Sequence, residues 1–196
     1  MNMVGFGYKT AWLAIRDADA EEVVRTLGGQ VDGTIAWLEG VHAAYDRADT
    51  VVVTPPLPGA DGNAWTLVVG WYLASNHEAL DPAALSATLA REVQLFVSHR
   101  VVELHRWQRS VGGTTVRSFE YLGEAGEVRA WSGEPDETER AIGLPAAFDM
   151  DEAHDHSILV GEDDVMRVAG AWSVDPTSLE NQPATAPLTL ARFPAP

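Results

Sequence analysis

The sequence predicts an α+β domain built on a central antiparallel β-meander flanked by three to five helices. Three observations carry this. Residues 92 to 132 hold successive β-rich runs separated by the short turns SVGG and EAG, which suit hairpins. Helical patterns stand on either side instead of alternating with single strands, which disfavours a doubly wound parallel sheet. The apolar content of 46% with seven tryptophans supplies a core large enough for one domain of 196 residues. Residues 1–180 read as that compact domain, and the Pro/Ala-rich residues 181–196 as an extended or frayed tail.

In chain order, KTAWLAIRDADAEEVVRTLG reads as strand, cap and helix. Trp12, Ala14 and Arg16 alternate with Ala11, Leu13 and Ile15, Asp17 or Asp19 supplies a cap, and Gly28 follows the helix. DGTIAWLEGVHAAYDRA places Ile35, Leu38, Val41 and Tyr45 at helical spacing, with Gly40 weakening it. TVVVTPP is a short buried strand stopped by Pro55 and Pro56, and AWTLVVGWYLA returns as its antiparallel partner. Asp81 caps a helix with Pro82 at its first position, where the missing N–H costs nothing. EVQLFVSHR opens the meander, followed by VVELHRWQR, TVRSFEYLG and EVRAW. Beyond Gly133, a short helix is capped near Asp136, PAAFDMDEAHDHS runs as a surface loop, EDDVMRVAGAW is a helix and DPTSLE adds a turn.

Composition narrows function. No cysteine is present, which excludes disulfides, thiol nucleophiles and thiolate metal sites. Twelve arginines and a single lysine, Lys9, oppose 29 acidic residues, for a net charge of −16. Such a field repels a phosphate backbone and attracts cationic surfaces, so a basic protein is the expected partner and general nucleic-acid binding is not. The start lacks the basic and apolar regions of a secretory signal, and no run reaches the roughly 18 apolar residues of a membrane span. A cytoplasmic protein with no membrane association is expected, and the arginine and alanine bias suggests a bacterial source.

Candidate chemistry centres on EVQLFVSHRVVELHRWQR. Read as one extended strand, it puts His99, Glu103, His105, Trp107 and Arg109 on one side and Arg100 and Arg106 on the other. Glu103 with His105 pairs a carboxylate with an imidazole, the elements of a general base or of two metal ligands. His154 and His156, in an acidic loop with Asp151, Glu152 and Asp155, are the weaker metal candidates, of types that suit zinc or manganese. No GxSxG, SxxK, HExxH or phosphate-loop spacing occurs, and GFGYK and LGGQVDG supply turns only. No cofactor is expected.

The acid is segregated. Between Glu134 and Val165 stand eleven Asp or Glu and one Arg, whereas Arg91 to Arg129 holds six Arg and five Glu. This pattern points to a small acidic protein-binding module, of the kind that immunity proteins exemplify, inhibiting a basic bacterial toxin or enzyme. Arg100, Arg106, Trp107 and Arg109 would supply anchors, with Asp136, Glu137, Glu139, Asp151, Glu152 and Asp155 as rim charges. The alternative is a metal-assisted or general-base hydrolase using Glu103, His105 and the His154/His156 loop. The acidic run would equally serve as a solvating surface that prevents aggregation.

Overall fold

The computed structural model describes residues 2–152 and 157–193. Its elements are β1 (Thr10–Arg16), α1 (Ala20–Thr26), β2 (Gln30–Ile35), α2 (Trp37–Asp46), β3 (Thr50–Val53), β4 (Leu57–Pro58), β5 (Ala64–Val69), α3 (Trp71–Asn76), α4 (Pro82–Leu89), β6 (Val93–His99), β7 (Leu104–Val111), β8 (Thr114–Leu122), β9 (Glu127–Ser132), α5 (Glu137–Ala141), α6 (Glu162–Trp172) and β10 (Leu188–Arg192). Among the described residues, ten strands form one sheet in the order β2-β10-β3-β5-β1-β6-β7-β8-β9, with β4 beside β5. Every ladder is antiparallel, and β6 to β9 form the expected meander.

Both faces of the sheet are covered, and strict alternation decides which side chain goes where. One face carries Trp12, Ala14, Leu67, Phe96, Trp107 and Phe119 beneath α2 and α6. The other carries Leu13, Ile15, Val68, Leu95 and Val97 beneath α1, α3 and α4. Trp12 stacks on Phe96 at 5.1 Å, and Trp107 lies 4.5 Å from Phe119. Aromatic contacts of this kind each contribute about 0.5–1.5 kcal/mol beyond the area they bury.

Capping follows the sequence closely. Asp19 accepts from the backbone N–H groups of Glu21 and Glu22, and Asp81 from those of Ala83 and Ala84. Thr54 bridges the gap between β3 and β4: its backbone N–H donates to Leu67 O, and its Oγ1 accepts from Leu67 N, both at 2.9 Å. The hydroxyl thus continues the ladder where Pro55 and Pro56 cannot.

Four expectations are corrected. Residues 30–35 are a strand, so Ile35 belongs to β2 and the helix starts at Trp37. The run AWTLVVGWYLA is split at Gly70 into β5 and α3. The stretch from Glu92 to Arg109 is two strands joined by a turn, with Glu103 left-handed at φ 51°. The supposed tail supplies β10, inserted between β2 and β3. For β2 and β10 pairing with distant chain decides the outcome, whereas the 92–109 stretch folds back on itself as a local hairpin.

Candidate functional site

The turn between β6 and β7 changes the geometry of the residues that the sequence singled out. His99 pairs across the ladder with Leu104, and Ser98 with His105, so His99 and His105 lie on opposite faces. Glu103 stands in the turn, its carbonyl accepting from Gly123 N at 2.9 Å. Arg100 and Val101 project from the same turn and are exposed.

Glu103 and His105 nevertheless meet at one open pocket of about 430 Å³, which Arg100, Tyr121, Gly123 and Leu159 to Glu162 also line. His105 is buried, and its Nδ1 has no hydrogen-bond partner. Burial lowers its pKa below the ordinary 6.5, outweighing the nearby Glu162, Glu103 and Asp164, which push the other way. The ring is therefore neutral at neutral pH. Ser98 donates to Glu162 Oε1 at 2.9 Å, which ties the first turn of α6 to β6 beside this histidine.

A second open pocket adjoins the first through Arg100 and Glu162 and is completed by Tyr8, Lys9 and Asp163. Tyr8 donates to Asp163 Oδ1 at 3.2 Å, and Tyr45 donates to the Tyr8 carbonyl at 3.0 Å, pinning the N-terminal segment against α2 and α6. Burial, and next the hydrogen bond and charge of Asp163, raise the Tyr8 pKa, so the phenol stays protonated at neutral pH. This end of the molecule presents the carboxylates of Glu103, Glu162 and Asp163 against the cations of Arg100 and Lys9. Beside them Leu159 is 82% exposed and Val101 70%, and Leu159 itself lines the pocket. Neither residue stood out in the sequence, because a single aliphatic side chain carries no local signal of exposure.

The expected arginine and aromatic anchors are mostly tied up inside the protein. Trp107 is fully buried and donates to Glu139 Oε1 at 2.6 Å. Arg106 donates to the His77 carbonyl and to Gln108 Oε1, and stands 3.6 Å from Glu120. Arg109 forks onto Glu92 at 2.6 and 3.2 Å, leaving its stem half exposed. Arg100 alone of the four is exposed.

The acidic candidates divide likewise. Glu139 is fully buried, and Asp136 caps α5 while accepting from Trp172 Nε1 at 2.6 Å. Glu137 and Asp151 are exposed. His154, Asp155 and His156 lie outside the described residues, as does the side chain of Glu152. Among the described residues no three His, Asp or Glu side chains form a group able to hold a metal, and no helix is long and apolar enough to cross a membrane. Comparison with protein-family models, with curated proteins and with solved structures finds no match.

Proposed function

We propose that this chain is a protein-binding module that captures a basic partner at the end of the sheet where β6 turns into β7, acting as an immunity-type inhibitor in a bacterial cytoplasm. The observation that carries the reading is the 82% exposure of Leu159 in the pocket that Glu103 and Glu162 line, with Val101 exposed in the same turn as Glu103 and Asp163 in the adjoining pocket. Interfaces combine an apolar centre with a polar rim, and exposed large aliphatic side chains beside carboxylates offer both. The net charge of −16 speeds encounter with a cationic surface.

The test is an affinity capture from lysate of the source cells at low and moderate salt, run in parallel with wild type, Leu159→Asp and Glu162→Lys/Asp163→Lys. One basic protein retained stoichiometrically by wild type and lost with both variants supports the reading. Retention unaffected by either variant, or no retained protein, removes it.

A hydrolase is the second reading, favoured by the convergence of Glu103 and the neutral His105 on one pocket. Glu103 would then act as general base with His105 orienting it. Turnover of model esters or phosphoesters that disappears in Glu103→Gln would establish it.

A further inference from the structure

We propose that a separate pocket, on the sheet face opposite His105, binds a small aromatic carboxylate. Between α3 and the β6–β7 turn lies a recess of about 290 Å³, whose lining includes Lys9, Trp71, His77, Val97, His99 and Leu104. Pockets for drug-sized ligands span roughly 300–1,000 Å³, so this one suits a single-ring compound.

The lining specifies the chemistry. Val97 and Leu104 are buried members of the apolar face under α3 and α4 and give the recess a greasy floor. Trp71, the first residue of α3, is 45% exposed, an unusual state for so large an apolar ring, and forms part of the wall. Its indole offers a stacking surface for an aromatic ring.

The polar groups are donors. Nδ1 of His77 and Nδ1 of His99 are each sealed from solvent without a hydrogen-bond partner. A buried lone pair is tolerated better than a buried unpaired N–H, so both rings carry their proton on Nε2. Nε2 is then the donor of each imidazole, and Lys9 stands on the same lining as both rings. Among the described residues no carboxylate lines the recess, in a chain with 29 acidic residues. From outside the lining, Glu120 and the exposed Glu78 act on His77 and Arg106 opposes them; Glu120 is itself held between Arg106 at 3.6 Å and Arg129 at 3.7 Å. Two N–H donors and an ammonium beside an indole match one ligand end that is anionic and another that is flat and apolar.

Benzoate and its uncharged isostere benzamide separate this from nonspecific apolar binding. In calorimetric titration of the full chain, benzoate should bind saturably with a Kd of about 1 mM or tighter, and benzamide at least about tenfold more weakly. Trp71→Ala should weaken benzoate at least about fivefold, and Lys9→Met should shrink the benzoate preference while leaving benzamide unchanged. Both positions are exposed, and the wild-type comparison of the two ligands needs no variant. No saturation by about 10 mM benzoate, or a benzoate preference below about tenfold in wild type, would overturn the proposal. So would wild-type affinity in Trp71→Ala.

Discussion

Arg117 on β8 and Glu139 on α5 form a buried ion pair, Nε to Oε1 at 2.8 Å, with 4% and 1% of their side chains exposed. The same carboxylate accepts from Trp107 Nε1 and, through Oε2, from the backbone N–H of Asp136, so one side chain docks α5 onto the sheet and completes its own capping box. The guanidinium lies 4.4 Å from the Trp131 ring centroid and donates to the carbonyls of Ser118, Ser132 and Gly133.

Removing one partner strands the other charge in the core. Glu139→Ala should destabilise the protein by about 3–5 kcal/mol in urea unfolding, and the double variant Glu139→Met/Arg117→Met should recover most of that loss. Equal losses in the single and double variants would show that packing, not the stranded charge, dominates.

Gly70 joins β5 to α3 at an extended backbone angle of φ 168°, which any residue adopts. The constraint is space: a Cβ there would stand 2.3 Å from the Thr50 carbonyl oxygen and 2.9 Å from Val51 Cα. Both are backbone atoms of a central strand. Gly70→Ala should therefore cost about 1–3 kcal/mol, the range for overpacking, measured by thermal or urea unfolding.

His105 and His77 both have pKa values lowered chiefly by burial. The unfolded chain then binds more protons than the folded one as pH falls below the ordinary 6.5, so stability drops in that direction and levels off below the folded values. Between about pH 7.5 and about pH 5.5 the urea midpoint of wild type should fall, and His105→Asn should reduce the fall. The same dependence in wild type and variant would place the proton uptake elsewhere.

β10 pairs with β2 on one side and β3 on the other. A chain truncated after Pro187 loses this strand and the buried Leu188, Leu190 and Ala191 with it. It should lose cooperative unfolding and gain aggregation, because two unpaired strand edges are exposed together. Size-exclusion chromatography and near-ultraviolet circular dichroism would read this directly. A monomer with native circular dichroism would refute it.

The sequence carried the local signals that have local causes. Asp81 and Asp136 cap the helices they were expected to cap, and Asp19, one of two candidates with Asp17, caps α1, because a carboxylate two or three residues ahead of free N–H groups needs nothing from the rest of the chain. The meander was legible from short turns between β-rich runs, and so was the alternation of Trp12 and Ala14 with Leu13 and Ile15.

Of the candidate site, the sequence located Glu103 and His105 but not their setting. Only the tertiary structure decided that Glu103 leaves the strand, that Leu159 and Glu162 reach the same pocket, and that Trp107 and Arg106 turn inward to partners 32 and 29 residues away. It also decided that QVDGTI, exposed along nearly its whole length, is a strand at all, since its pairing partner lies at the far end of the chain. Caps, turns and alternation are properties of neighbouring residues, whereas strand order and the choice between an exposed anchor and a buried hydrogen-bond donor are properties of residues that meet only on folding.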